Sequence, residues 1–372
     1  MHHPSFSDPD ICIAGAGVIG LSLALELHRR GMHVTVLDQA TPLAEASTAA
    51  AGMLAAGDPH NPPQLLPLAD LSLSLYSAFL DHLRTLSGIP VPFQTHTTLQ
   101  TLLPGTQDTD NELSSKDLAH LIPTLTPGNH RFILLDEHSL DPRQLATALL
   151  ASVRSSTIDL RPNTPVLSTR SLNNSVEVHT QTGVLHASQF VDCTGAWASA
   201  TSHLSDIQVN PSIQASLNIQ VTPKKGQMLS ISLPPTLPLD LVIRTPDIYI
   251  VPRTSGPHSG RAIIGATIED AGFDKTVHPT DIAHLRSLAA ALLPPLADAP
   301  QLEAWAGLRP ATPDGLPILG AIPAHPNHFI ATGHYRDGIL LTPATAQVMA
   351  QLISGEAPSI DLAPFSPSRT AP

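Results

Sequence analysis

Apolar positions along this chain follow two periods, and the switches between them mark out its elements. Ile11 to Ala14 is a short apolar run, followed by three spaced glycines and then a helical pattern that reaches Arg30. A second apolar run, His33 to Leu37, ends on Asp38, so the first forty residues read β-α-β. Residues 41–58 are small and alanine-rich, too small for a core of their own and suited to close backbone approach to a flat ligand. Leu68, Leu71, Leu75, Phe79 and Leu83 then recur at helical spacing over 67–87. Between 90 and 135 the pattern breaks into short strands, turns and a polar helix. Residues 141–156 return to helix, with Asp141 as N-cap and Pro142 in the first position.

The second half begins with strand-like stretches. Thr164 to Ser168 and Val176 to Thr180 read as strands, and the apolar run Gln189 to Cys193 ends on the small-residue turn Thr194-Gly195-Ala196-Trp197-Ala198. Residues 217–270 are β-rich, with strands expected at Asn218–Val221, Gln227–Ile231, Leu241–Arg244, Ile248–Val251 and Ala262–Thr267. A helix over 280–293 is stopped by Pro294-Pro295. A strand at 328–332, a glycine turn at 333–338 and a helix at 339–353 follow; Pro343 is placed in that helix's first turn and Gly355 at its end. No internal repeat is visible. Dinucleotide-type segments at both ends and in the middle, separated by antiparallel-looking strands, predict two interleaved domains in an α/β protein. A Rossmann-type unit takes 1–88, 141–215 and 301–372, and an α+β unit on a largely antiparallel sheet takes 89–140 and 216–300.

Composition narrows the partners. At 372 residues and 42% hydrophobic the chain is a globular protein with room for two cores. No window approaches the roughly 18 uninterrupted apolar residues of a membrane span. A net charge of −12 argues against nucleic acid or an anionic membrane as partner. Two cysteines exclude a disulfide framework and a cysteine-based metal site, and Cys12, inside an apolar strand, reads as inert core. The 19 histidines show no metal-ligand spacing. The 37 prolines cluster in loops, as stiffeners. Met1 to Pro9 lacks the charged-then-apolar signature of a secretory leader, so the expectation is a cytoplasmic protein.

Two segments carry the chemistry. Gly15, Gly17 and Gly20 form a G-x-G-x-x-G run between strand and helix. Gly15 permits the tight turn, Gly17 lets backbone approach a pyrophosphate, and Gly20 lets the helix pack on the sheet. The helix N-terminus faces the negative charge, and Asp38 stands where a carboxylate binds ribose hydroxyls. This motif fits either FAD or NAD. The second segment is C-terminal, Trp305 to Gly320 and Ala331 to Thr345. Backbone N–H groups at 337–340 would point at whatever sits above the glycine turn, an arrangement that suits an electron-rich oxygen. Arg309, between Leu308 and Pro310, is read as the chain's best candidate for a buried cation. Its anion is either a substrate carboxylate held bidentately or a structural acid.

Taken together these stretches resemble the D-amino-acid oxidase (DAO) superfamily of FAD-dependent amine oxidases, and within it the glycine oxidases of thiamine biosynthesis. The resemblance runs from Ile11 to about Ile353. It rests on Gly15–Gly20, Ala49 to Leu54, Tyr249-Ile250-Val251-Pro252-Arg253, Gly307-Leu308-Arg309-Pro310 and Gly333 to Leu340. It implies non-covalent FAD as the cofactor. Arg309 matches the clamp on the substrate carboxylate, Tyr249 a partner to that carboxylate, Arg336 a second arginine at the site, and Met53 a methionine near the flavin. Contacts implied for the cofactor are Gly15, Gly17, Val18, Ile19 and Gly20; Asp38 and Gln39 at the ribose; Ser47, Thr48, Ala51, Gly52 and Met53; Val166 at the adenine; Gly195; and His334, Tyr335, Arg336, Asp337, Gly338, Ile339 and Leu340 around the flavin pyrimidine edge. The chain departs from the glycine oxidase pattern at Ile268 (a methionine expected), Asp247 (a histidine), Tyr335 (a phenylalanine) and Ala311 (a glycine), which bears on substrate preference.

The activity implied is oxidation of glycine or another small amine, such as sarcosine or a small D-amino acid, by hydride transfer to flavin N5. The imino acid hydrolyses to an oxo acid and ammonia, and dioxygen becomes hydrogen peroxide. A homo-oligomer and a link to thiamine-thiazole supply are implied in the same way. Three other readings remain at this point. A D-amino-acid or imino-acid dehydrogenase would use another acceptor. An NAD-linked dehydrogenase would explain Gly15 to Asp38 but not the C-terminal stretches. A catalytically silent flavoprotein subunit is the third.

Overall fold

The computed structural model describes residues 8–103, 105–107, 111–199, 219–323 and 325–369. Its first sheet has six strands, in the order Ile318–Ile322, His325–Thr332, Gln189–Asp192, Ile11–Ala14, Val34–Leu37 and Asp159–Arg161. All neighbours are parallel except the Ile318–Ile322/His325–Thr332 hairpin. The central strands Ile11–Ala14 and Val34–Leu37 are buried at every position, as strands of a covered parallel sheet must be. The helices Val18–Arg29, Leu66–Ser87, Pro142–Arg154 and Gly338–Ile353 share one core with Ile11, Ile13 and Val191. A three-stranded antiparallel sheet, Val166–Ser171, Val176–Thr180 and Gly183–Ala187, packs with Cys12, Ala14 and Phe190. This is the expected α/β architecture.

The second large sheet has seven strands, in the order Gln301–Ala311, Thr222–Ser232, Arg261–Gly265, Tyr249–Arg253, Val242–Arg244, Thr98–Thr101 and Phe132–Leu135. It is antiparallel apart from Val242–Arg244 beside Thr98–Thr101. Helix Pro279–Leu292 covers it, with Ile282, Leu285 and Ala289 packed on Leu229, Ile231 and Ile264.

Four local expectations are corrected. The separate strands at 218–221 and 227–231 are one strand, Thr222–Ser232; residues 219–221 are not strand, and Asn218 and the 215/216 boundary lie outside the described residues. Pro223 is tolerated in this strand because pairing with Arg261–Gly265 begins only at Met228. Residues 301–311, grouped by sequence with the Rossmann unit, form the edge strand of the seven-stranded sheet, where Pro310 needs no second partner. Strands Gly183–Ala187 and Ile318–Ile322 were not anticipated; the first is mostly exposed and the second interrupted by Gly320, so neither shows a clean period. Finally, helix Gly338–Ile353 begins early enough that Pro343 lies in its interior rather than its first turn.

The glycine run fits its reading. A Cβ on Gly15 would lie 2.4 Å from the Cys193 carbonyl oxygen, and one on Gly20 would lie 2.0 Å from that of Gly15. The helix and two strands meet backbone to backbone here. Gly20→Ala is expected to destabilise the apoprotein by about 3 kcal/mol in urea unfolding, because neither contact atom can move aside. An unchanged midpoint would show that the helix can slide.

Candidate functional site

A cavity of about 340 Å³ lies where the two large sheets meet. From the first sheet come Gly17, Val18, Ile19, Cys193, Gly195 and Thr332. From the second come Met228, Arg244, Tyr249, Gly265, Gly307 and Arg309. Loop residues 46–58 and 334–339 close it on either side.

The wall at 49–53 is held by backbone contacts that leave no room for variation. Trp305 Nε1 donates to the Ala49 carbonyl at 3.1 Å, and Arg143 lies 4.7 Å over the Trp305 ring. Arg253 Nη2 donates to the Ala51 carbonyl at 2.8 Å. Gly52, at φ 85°, would place a Cβ 2.1 Å from the Leu140 carbonyl, whose amide donates back to Gly52 at 2.9 Å. Gly307 packs against Ala49 so closely that a Cβ there would lie 2.5 Å from the alanine methyl. Met53, half-buried, packs against the cluster of Ala51, Val242, Val251 and Ile263, as do Tyr249 and Trp305.

Arg309 and Tyr249 form the polar end of this wall. A Cβ on Gly226 would lie 2.4 Å from both terminal nitrogens of Arg309, so the guanidinium lies flat over a glycine. Arg309 Nη1 donates to the Thr267 carbonyl at 3.2 Å. Tyr249 lies over Gly265, where a Cβ would come within 2.5 Å of its hydroxyl. Burial raises the Tyr249 pKa, opposed by the charge and hydrogen bond of Arg309. Among the described residues no carboxylate pairs with Arg309. It is not the most buried cation, as the sequence suggested. It is half-exposed to the cavity, while Lys225, Arg253 and Arg244 are almost fully buried. Those three face Glu269 at 3.0 Å, Asp141 at 3.9 Å and Glu137 at 3.1 Å.

Arg336 differs from Arg309 in this respect. Its Nη2 pairs with Asp58, which is buried and also receives the His60 amide at 2.9 Å. Arg244 stands 3.8 Å from the same carboxylate and bonds Gln100. Burial opposes the charge on Asp58, but Arg336 and Arg244 outweigh it, so its pKa falls. Asp58, His60, Gln100, Glu137 and Arg244 were all missed in the sequence. The available signal was a lone charge closing an apolar run, as in Leu241-Val242-Ile243-Arg244, since a charge in such a strand needs a buried partner.

The other expected site residues sort by position. Gly17, Val18, Ile19, Ser47, Ala51, Gly52, Met53, Gly195 and 334–339 line the cavity. Gly15, Gly20, Asp38, Gln39, Thr48, Val166 and Leu340 do not. Asp38 accepts the amides of Ala16 at 2.7 Å and Ala40 at 2.8 Å, and Thr164 donates to its carbonyl, which brings the Val166 strand alongside. Gln39 is exposed, and the Thr48 hydroxyl is used on the Leu43 carbonyl. Ser47 Oγ accepts the Val18 amide at 2.9 Å. His334 is buried, bonded to Thr345 at 3.0 Å and pushed down to about 3 by burial, so it is neutral. Tyr335 holds a φ of 44° and donates its amide to the Pro310 carbonyl.

The comparisons with known proteins agree with this geometry. The family model described as FAD dependent oxidoreductase (DAO) matches residues 10–352. This chain belongs to the DAO family. The chain is 37% identical over 363 residues to a bifunctional protein ThiO/ThiG of Nostoc sp., covering 92% of this chain and 52% of that one. It therefore spans about half the length of that relative. It is 30% identical over 380 residues to a glycine oxidase of Geobacillus kaustophilus, 97% of each chain being covered. The crystal structure of glycine oxidase from G. kaustophilus superposes with a TM-score of 0.87, over 98% of this chain and 100% of that one.

FAD is the cofactor of this family, and the cavity fits it. Gly17 is bare toward the cavity, with only Ser47 Oγ within reach of a Cβ, at 3.4 Å. Among the described residues, the amides of Gly338, Ile339 and Leu340 have no acceptor in the chain, while that of Leu341 reaches the Asp337 carbonyl.

Asp337, beside these amides, has its carboxyl pushed up to about 7 by burial, with Arg336 opposing and Asp58 reinforcing. The folded apoprotein therefore keeps a proton that the unfolded chain releases near pH 4. This group's contribution to stability is intact below about pH 4 and is lost as pH rises toward about 7. Asp337→Asn is expected to remove that loss, so the variant's thermal midpoint should rise relative to the native protein's between pH 4 and 7. Parallel curves would place the Asp337 pKa near its ordinary value.

Proposed function

We propose that this chain oxidises glycine or another small amine bearing a carboxylate, sarcosine and small D-amino acids included, and passes the electrons to dioxygen. The observation that carries the proposal is the uncompensated Arg309 guanidinium. Every other cation lining or bracing this cavity has an acid beside it, and this one has only a carbonyl and a phenol. A buried or half-buried guanidinium in that state favours an anion brought from outside, and a carboxylate matches its fork. The likeness to a glycine oxidase over nearly the whole of both chains supports the same substrate class.

FAD, when bound, supplies the two-electron oxidant. The chain's residues bind and orient. Arg309 fixes the carboxylate, with the Tyr249 hydroxyl as second donor. Gly226 and Gly265 hold these two groups in place by lacking side chains. Met53, Met228 and Ile248 exclude water from the wall facing the substrate carbon. Positioning of this kind carries much of the rate of such a reaction. His334 is neutral and already bonded, and among the described residues no carboxylate pairs with Arg309. The substrate would react with its amine neutral, and the imine would hydrolyse to an oxo acid and ammonia, or methylamine where sarcosine is the substrate. The free amides at 338–340 would be among the groups that hold FAD, and as donors at a helix N-terminus they would favour negative charge on it. A place in thiamine-thiazole supply belongs to the same proposal.

The test is a peroxide assay with glycine, sarcosine, D-alanine and D-proline, run beside anaerobic flavin spectra. Peroxide release with at least one of them is expected. Bleaching without peroxide would indicate a dehydrogenase with another acceptor, and no bleaching by any of them would overturn the proposal. Gly226→Ala should raise KM for the preferred amine by at least about tenfold while FAD stays bound, since one displaced charge-assisted contact is of that size. An unchanged KM would remove Arg309 from the carboxylate.

A further inference from the structure

Pro343 sits inside helix Gly338–Ile353 and cannot donate to the carbonyl four residues back, that of Ile339. Its ring also crowds that carbonyl. The Ile339 carbonyl therefore lacks its helical donor, and it lies with the Leu340 carbonyl in the first turn of the helix that borders the cavity at Gly338 and Ile339.

Both carbonyls are met from the same neighbouring helix. The Tyr76 hydroxyl donates to the Ile339 carbonyl. Ser72 Oγ donates to the Leu340 carbonyl at 2.6 Å and accepts the Ala344 amide at 3.3 Å, so it bridges the step that follows the proline. Residues 72 and 76 are one helical turn apart on Leu66–Ser87, and both are fully buried. The Tyr76 ring is fixed edge-on by Phe79 at 6.1 Å and tilted against Phe93 at 6.5 Å. Burial raises its pKa, which keeps the hydroxyl a donor.

We infer that Tyr76 and Ser72 are positioning residues: Tyr76 holds the carbonyl released by Pro343, Ser72 braces the next step, and together they fix the direction of the 338–340 amides toward the flavin. The inference rests on the reading above that these amides face the flavin. Without the two hydroxyls, a helix with an unsatisfied buried carbonyl in its first turn would twist to find another donor; the Leu340 amide, on the same peptide unit as the Ile339 carbonyl, would turn with it and carry the rest of the turn along. With an ordinary residue at 343, the helix would supply the donor itself and the hydroxyls would be dispensable.

The test compares holoenzyme of the native protein, Tyr76→Phe, Pro343→Ala and the double variant, by FAD dissociation constant, flavin midpoint potential and apoprotein thermal midpoint. Tyr76→Phe should weaken FAD binding by about tenfold and make the potential more negative, as expected for one lost buried hydrogen bond. The double variant should return to within about threefold of the native FAD affinity, because residue 343 then donates to the Ile339 carbonyl. Should Tyr76→Phe fail to fold alone, the double variant is read against Pro343→Ala: equal FAD affinities are expected, and a double variant about tenfold weaker than Pro343→Ala would overturn the inference. A double variant as weak as Tyr76→Phe would overturn the inference, since the hydroxyl would then act by some route other than holding the carbonyl that Pro343 leaves free. No change in any quantity would overturn it alone. A thermal midpoint that falls and is rescued while the flavin quantities stay fixed would show that the turn does not face the flavin, overturning that reading together with the inference.

Discussion

The arrangement depends on a positive charge, Arg309, that has no counter-ion among the described residues. Arg309 lies over Gly226 with its face bare, one nitrogen on the Thr267 carbonyl and the Tyr249 hydroxyl beside it. Around it the other cations are neutralised in place: Arg336 and Arg244 on Asp58, Arg244 again on Glu137, and Arg253 beside Asp141. Burying a charge is costly unless it is paired, so an unpaired guanidinium at a cavity wall marks where a ligand completes the pairing. The paired cations brace the wall, and the unpaired one gives it a direction.

Backbone proximity gives the cavity its shape. At Gly15, Gly20, Gly52, Gly226, Gly265 and Gly307 a side chain would strike a backbone atom, a neighbouring side chain or the two polar groups themselves. These positions let two sheets of different construction approach at one line, and the cofactor and substrate readings meet along that line. The helix Gly338–Ile353 shows the same economy: its interior proline would loosen the turn nearest the cavity, and two hydroxyls from a packed helix keep it in place.

Much of this was legible in the chain. The β-α-β unit at 11–37 carries its own punctuation in the glycines and in Asp38, and the helices over 66–87, 142–154 and 279–292 have strong period and clear caps or stops. Arg309, Tyr249 and Met53 came from local motifs, and the structure places all three on one wall. What escaped was non-local. Asp58, Glu137 and Arg244 lie on three segments up to 186 positions apart, and nothing in their spacing announces that they share one carboxylate-guanidinium network. The strand Gln301–Ala311 was hidden by Gly307 and Pro310, residues that argue against a strand until its place at a sheet edge is known. Pro343 misled for a related reason: a helix start is the usual home of proline, and the Tyr76 hydroxyl that meets the Ile339 carbonyl comes from a helix far away in the chain.

The most direct measurement is a titration of holoenzyme with a minimal carboxylate, acetate or glycolate, followed by the perturbation of flavin absorbance, in the native protein, Arg309→Met and Arg336→Met. If Arg309 is the uncompensated charge that receives the substrate, its loss weakens binding by at least about tenfold, while Arg336→Met, whose guanidinium is already held by Asp58, retains most of the affinity. Carboxylate binding that survives in Arg309→Met and fails in Arg336→Met would contradict the account.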